Sequence, residues 1–436
     1  MERTRSDAVD VPVDTSRLAG VMRRIVWRRL ESLRRGTLVV NDLGEHRVFG
    51  SSDAEADGLA ASVTIHDPRF YRQLVLGGTL GAAEAYIRGH WTSDDLVSLV
   101  RLFCRNDARA SGLERGLARL ARLPAAVAHR MRRNTAEGGR RNISAHYDLG
   151  NDFFSLFLDE TLAYSCATFP SAESTLLEAS VAKFDRICQK LELKSTDHVI
   201  EIGTGWGGFA LHAAQNYGCR VTTTTISRRQ YEFARRRVEA AGLRDRVIVL
   251  ADDYRKLRGA YDKLVSIEMI EAVGYQYFDA FFRVCSDLLK AEGLMLLQAI
   301  VIPDQRFDRY KRSVDFIQRY IFPGGCLPSL GAICASVGRV SDLWPCDLED
   351  ITPHYAETLA DWRRRFTANL GEVRKLGFSE DFIRTWEFYF CYCEGGFRER
   401  VIRDVQMLFA KPRCQRAATL PQHGAAQRWP TATSVS

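Results

Sequence analysis

Through the middle of the chain, short runs rich in β-branched residues alternate with stretches whose apolar positions recur every three or four residues. Residues 198–202, 220–226, 246–250, 263–267 and 294–300 read as strands, and the segments between them as amphipathic helices. That alternation predicts an α/β fold with a doubly wound parallel sheet carrying helices on both faces. The first hundred residues follow another pattern. A helix ending near Gly36 precedes strands at 37–40 and 47–49 around the turn Asn41-Asp42-Leu43-Gly44, a third strand at 61–65, and helical stretches at 80–88 and 94–103. This is a small N-terminal α+β domain. Between the two lie leucines at helical spacing (Leu113, Leu117, Leu120), interrupted by Pro124, Gly138 and Gly139, which read as an amphipathic linker. The expected divisions are a disordered lead at 1–20, the small domain at 21–105, a basic linker at 106–141, the α/β domain at 142–411 and a disordered tail at 412–436.

Charge sharpens the picture more than composition does. Of 436 residues 46% are hydrophobic, an ordinary globular share, and no apolar run approaches the roughly 20 residues that cross a bilayer. The N-terminus is charged where a signal peptide would be apolar, so a cytoplasmic protein is expected. The net charge of +7 is concentrated. Arginines accumulate from Arg101 to Arg141 against only Asp107, Glu114 and Glu137, a block suited to an anionic partner, either phospholipid head groups or nucleic acid, or else to a solvated helix face. The eleven cysteines lack paired metal-binding spacings; Cys391 and Cys393 would point to different faces of a helix, so free buried thiols and no metal are expected.

The strongest local signal is His198-Val199-Ile200-Glu201-Ile202-Gly203-Thr204-Gly205-Trp206-Gly207-Gly208, an apolar strand entering a glycine-rich turn and then a helix. Gly203 and Gly205 allow positive φ and close approach of a ligand to the backbone, and the helix offers free N–H groups. Its spacing departs from the strict dinucleotide fingerprint, and the form with Glu201 before the glycines resembles that of S-adenosylmethionine enzymes. The next strand ends without the carboxylate that commonly holds a ribose, which leaves Thr225 and Gln230 to do so with neutral hydrogen bonds. After the third strand comes Asp252-Asp253-Tyr254-Arg255; either aspartate is placed to meet an adenine, or simply to cap a turn.

Several further motifs occur in order. They are Ile143-Ser144-Ala145-His146-Tyr147-Asp148-Leu149-Gly150-Asn151-Asp152-Phe153-Phe154, Tyr164-Ser165-Cys166, Glu268-Met269-Ile270-Glu271-Ala272-Val273-Gly274, and Tyr320-Ile321-Phe322-Pro323-Gly324-Gly325-Cys326. Together with the glycine turn they closely resemble the cyclopropane-fatty-acyl-phospholipid synthases and the mycolic acid cyclopropane synthases, from about Asn142 to Lys411. The stretch from Gly77 to Trp91 also resembles the small N-terminal domain of the phospholipid-acting enzymes.

The resemblance implies S-adenosylmethionine as co-substrate, with Tyr164 and Ser165 holding its methionine end beside the Gly203 and Gly205 turn. It also implies a bicarbonate ion bound by Cys166, Glu271 and Tyr355. Two departures bear on that site: the family's histidine stands as Gln298, and a small residue stands as Glu268. Ala272 replaces a further histidine, a set of changes similar to the C-terminal domain of plant cyclopropane synthases. The implied reaction is attack of an acyl double bond on the sulfonium methyl, giving a cation that loses a proton to bicarbonate, with Glu271, Tyr355 and Gln298 positioning that ion. Phe153, Phe154, Trp206, Phe278, Phe316 and Tyr320 flank the motifs and are expected to line the acyl slot. The substrate then is an unsaturated phospholipid, the protein leans on the inner face of a membrane, and the bacterial synthases suggest a homodimer. Competing expectations are a methylene- or methyl-branched product, a small-molecule N-methyltransferase, and a non-catalytic lipid-binding relative. Nucleic-acid methylation is disfavoured, since no N/D-P-P-Y/F motif for a flipped base is found.

Overall fold

The computed structural model describes residues 15–50, 58–106 and 149–415. The basic linker, the segment 142–148 of the His146-Tyr147 motif and most of the tail lie outside these residues. Helix Thr15–Leu30 begins inside what the sequence suggested was a structureless lead.

The N-terminal unit holds four strands, β1 (Thr37–Asp42), β2 (Glu45–Gly50), β3 (Ala60–Ile65) and β4 (Trp91–Thr92), in the order β2-β1-β3-β4. β1 and β2 form a hairpin, while β3 returns parallel to β1. Alternation puts Leu38, Val40, Val63 and Ile65 on the buried face, against helices Arg69–Ile87 and Leu96–Arg105. Asp95 caps the second of these by accepting from the Ser98 N–H at 2.9 Å.

The large sheet contains β5 (His198–Ile202), β6 (Arg220–Thr224), β7 (Val247–Leu250), β8 (Tyr261–Ile267), β9 (Leu289–Val301), β10 (Trp344–Asp350) and β11 (Arg403–Ala410). Its order is β10-β11-β9-β8-β5-β6-β7. β5 to β9 are parallel, as expected. β11 inserts antiparallel between β9 and β10, so the all-parallel expectation is corrected at this edge. Both faces of the sheet are covered: along β9, Met295, Leu297 and Ala299 enter one apolar core, and Leu294 and Leu296 the other. Burial on both sides accounts for the nearly unbroken apolar run of that strand.

A third core joins the two units. Helices Thr352–Ala368 and Glu380–Arg398 pack against the N-terminal helices and around an aromatic cluster in which Phe153 lies 4.7 Å from Trp386 and 5.1 Å from Phe378, ring centre to ring centre. Polar ties follow the same seam. Tyr86 donates to Glu387 (2.8 Å), Tyr320 to Glu84 (2.8 Å), and Arg101 and Arg105 both clasp Glu399 (2.8 and 2.9 Å). Those two arginines, counted with the basic block in sequence, are therefore committed within the fold.

Candidate active site

β5 ends in the glycine turn at the carboxyl edge of the sheet, where open α/β sheets receive ligands. Gly203 and Gly205 have φ of 109° and 52°, and a Cβ on Gly203 would come within 3.3 Å of Met269. Gly207 does something else: it starts helix Gly208–Tyr217 at φ 89° and lies against Ala234, away from the cavity wall. Beneath the turn Glu201 is buried and accepts from the Thr223 hydroxyl at 2.5 Å; burial pushes its carboxyl up to about 8.

The neutral pair expected at the end of β6 is present. Ser227 caps helix Arg228–Ala240, fixing its first turn so that Gln230 accepts from the Thr225 hydroxyl at 2.9 Å. The two aspartates after β7 separate clearly. Asp253 is buried and held by Arg255 at 2.8 and 2.6 Å, which keeps its carboxylate occupied. Asp252 is exposed and borders the cavity. Tyr164 donates to the Tyr389 hydroxyl (3.0 Å), and Ser165 accepts from Lys183 (2.7 Å). Trp206 borders the cavity while its indole N–H donates to Asn151 (2.8 Å).

Tyr164, Ser165, Glu201, Gly203, Gly205, Trp206, Thr225, Gln230, Asp252 and Asp253 line one cavity of about 880 Å³, near the upper end for ligand pockets. It runs from the glycine turn, past Glu268, Glu271 and Tyr355, into the N-terminal unit, where Val40, Val63, Ile65 and Trp91 form its wall. Two of the six aromatic residues expected to line the slot do so. Trp206 and Phe316 face the cavity, whereas Phe153, Phe154 and Phe278 are core and Tyr320 lies at the seam with its hydroxyl on Glu84. Phe322, which follows helix Ile317–Ile321, lines it instead, together with Phe388, Tyr389 and Phe397, which helix Glu380–Arg398 turns inward.

Beside the glycine turn, at the carboxyl end of β8, stands a cluster of buried carboxyls. Glu268 accepts from the Cys166 backbone N–H (2.7 Å) and Gln298 Nε2 (2.8 Å) on Oε1, and from the Tyr355 hydroxyl (2.6 Å) on Oε2. Its φ is 47°, a left-handed conformation costing on the order of 1–3 kcal/mol for a side-chain-bearing residue. Glu271 accepts from the Ile300 N–H (2.6 Å) on Oε1, while its Oε2 is buried without a partner. Burial first, and then the charge of Glu268, push the Glu271 carboxyl up to about 8. Asp404 on β11 takes a second bond from Gln298 (3.2 Å) and is raised well above the usual carboxylate range by burial and by both glutamates.

Cys166 and Gln298 thus sit behind Glu268, off the cavity wall. Burial keeps the Cys166 thiol protonated, and its contribution is the backbone N–H. Of the residues expected to hold bicarbonate, Gln298 Nε2 and the Tyr355 hydroxyl donate to Glu268 here, while Glu271 keeps one buried oxygen without a partner.

Two participants were missed in sequence. Lys183 is fully buried on helix Leu176–Lys190 and brings its charge toward Glu268, Asp159 and Asp404. Its position among Ala179, Ser180, Phe184 and Ile187, on the inward face by helical spacing, was the available signal. Asp404 lay in a strand that was not foreseen.

A family model described as mycolic acid cyclopropane synthetase matches residues 134–407. The chain is 38% identical over 357 residues to the tuberculostearic acid methyltransferase UfaA1 of Mycobacterium tuberculosis, covering 80% of this chain and 83% of that protein. It is 36% identical over 356 residues to the cyclopropane-fatty-acyl-phospholipid synthase of Escherichia coli K12, covering 80% and 88%. Among solved structures, the mycolic acid cyclopropane synthase CmaA1 with SAH and CTAB superposes with a TM-score of 0.59 at 33% identity, over 62% of this chain and 98% of that one. A coclaurine N-methyltransferase superposes at 0.58 but 20% identity, a likeness of fold alone. With a matching model over more than half its length and relatives of this identity, the chain belongs to the mycolic acid cyclopropane synthetase family and is an S-adenosylmethionine-dependent methyltransferase.

Proposed function

We propose that this protein adds the methyl carbon of S-adenosylmethionine across the double bond of an unsaturated acyl chain in a phospholipid and closes it to a cyclopropane. The observation that carries the reading is the cavity, which joins the cofactor turn to an apolar chamber in the N-terminal unit. A small polar substrate has no use for a chamber walled by Val40, Val63 and Ile65, which argues against an N-methyltransferase of small amines.

S-adenosylmethionine supplies an electrophilic sulfonium methyl. The residues suited to hold it are Tyr164, Ser165, the Gly203–Gly205 turn, Thr225 with Gln230, and Asp252 with Tyr254, all on the cavity wall. The protein's own task is to exclude water, align the olefin and stabilise a developing cation. Tyr389, Phe388 and Phe397 line the chamber, and their π faces suit that last role.

Because acyl chains lie within a bilayer, this reading puts the protein against an anionic membrane surface from the cytoplasmic side, with the arginines beyond Arg105 as the contact and a homodimer as the assembly. No helix among the described residues is long and apolar enough to span a membrane. A second reading, a methylene- or methyl-branched product, draws support from the 38% identity to a tuberculostearic acid methyltransferase. Incubation with unsaturated phospholipid vesicles and isotope-labelled S-adenosylmethionine, followed by mass spectrometry of the acyl chains, tests both: a labelled ring supports the first, a labelled branch the second, and unlabelled lipid neither.

A further inference from the structure

The small-residue position now held by Glu268 and the histidine position now held by Gln298 are in direct contact, 2.8 Å apart. The side chain that arrives brings a carboxylate into a cradle of donors, and the amide opposite supplies one of them without adding a charge. Three donors converge on this carboxylate: Cys166 N–H, Gln298 Nε2 and Tyr355 O–H. A free anion added to the same cradle would compete for those donors and meet the charge of Glu268 at close range in a buried site, where like charges repel strongly.

The two glutamates of the cluster differ in what surrounds them. Burial pushes the Glu268 carboxyl up, and its three hydrogen bonds and the nearby Lys183 charge work against that rise; Glu271, likewise raised by burial, receives only the Ile300 N–H on one oxygen and has the other buried without a partner. With three donors against one, Glu268 is the better supported of the two as the anion. Glu268 also borders the cavity directly beside the glycine turn, while its supports Cys166 and Gln298 do not. Its left-handed backbone at the end of β8 is a strained conformation of the kind found where function demands it.

We propose that the Glu268 carboxylate is the built-in base of this reaction and stands in place of a captured ion, with Gln298 and the Cys166 backbone as positioning groups. The inference rests on the acyl-alkylation reading above. In that reaction the alkene π pair bonds to the methyl carbon as the methyl–sulfur bond breaks, leaving a neutral thioether and a cation on the other olefinic carbon. A C–H bond of the new methyl then breaks. Its electron pair forms the third C–C bond of the ring, and its proton passes to Oε2 of Glu268, the oxygen that carries one donor where Oε1 carries two.

The test uses the full chain with unsaturated phosphatidylglycerol vesicles and methyl-labelled S-adenosylmethionine, in carbon-dioxide-free buffer and in the same buffer with millimolar bicarbonate. The unaltered protein is expected to turn over equally, within about twofold, in both buffers. The Glu268→Gln variant is expected to bind S-adenosylmethionine normally and to lose at least about a hundredfold in turnover, the scale of a removed general base. Turnover of the unaltered protein that rises tenfold or more with bicarbonate would overturn the assignment, as would a Glu268→Gln variant that retains activity. Since the buffer comparison needs no variant, a misfolded Glu268→Gln protein leaves the proposal open to refutation. Unlabelled lipid from the unaltered protein in both buffers would overturn the acyl-alkylation reading itself, and the base assignment with it.

Discussion

Replacing Glu271 by glutamine removes one titrating group from the buried cluster, and the effect on stability depends on pH in a direction the structure fixes. The carboxyl is pushed from an ordinary value of 4.5 up to about 8 in the folded protein, by burial and then by Glu268. A group whose folded value lies above its unfolded value stabilises fully below the unfolded one, and that stability drains away as pH rises through the folded one. Between pH 6 and 8 the wild-type protein therefore loses up to about 2.7 kcal/mol at about 1.36 kcal/mol per pH unit, and nothing more above 8. Part of Glu271 faces the cavity although Oε2 is buried, and water there screens the penalty, so about 1–2 kcal/mol is the working figure. Glutamine keeps an acceptor for the Ile300 N–H and carries no charge to bury. Melting the two proteins side by side at pH 6 and pH 9 should show Glu271→Gln gaining on wild type at the higher pH by a few degrees. A gap between the two that stays constant with pH would refute the reasoning.

Other expectations follow from the same geometry. Lys183→Met strands the Ser165 hydroxyl and removes a countercharge from buried carboxyls, and should cost about 3 kcal/mol of stability, read as a lowered melting temperature. Gly203→Ala forces a side chain into φ 109° and within 3.3 Å of Met269, and should weaken S-adenosylmethionine binding at least about tenfold by calorimetry, a loss of about 1.4 kcal/mol. Val63→Trp fills the far end of the chamber, and vesicles of mixed acyl length should show label shifting toward shorter chains, with unchanged cofactor affinity.

The parallel core of the sheet was legible because its strands are runs of apolar or β-branched residues separated by stretches of helical spacing. β11 was not, for two reasons visible in its residues. Asp404 and Gln406 interrupt its apolar pattern and meet their partner Gln298 only in three dimensions, the first accepting from its amide and the second donating to its oxygen, and nothing in a strand's period reports the direction in which it pairs. β10 is exposed nearly throughout and offers no buried face to recognise. At the site, the glycine turn and the Thr225–Gln230 pair were readable because local backbone chemistry demands them. The role of Glu268 was not, since sequence shows that two positions changed and says nothing of their lying against one another. Aromatic residues misled for a related reason: a ring beside a motif serves the core or the cavity according to which face of its helix turns inward.

The chamber wall is shared between the N-terminal unit and the methyltransferase half, to which residues 300–327 and helix Glu380–Arg398 both contribute. Neither piece closes without the other. Expressing the methyltransferase half alone would open an oily trough to water along its length, inviting clumping, however inviting the stretch after residue 106 looks as a place to cut.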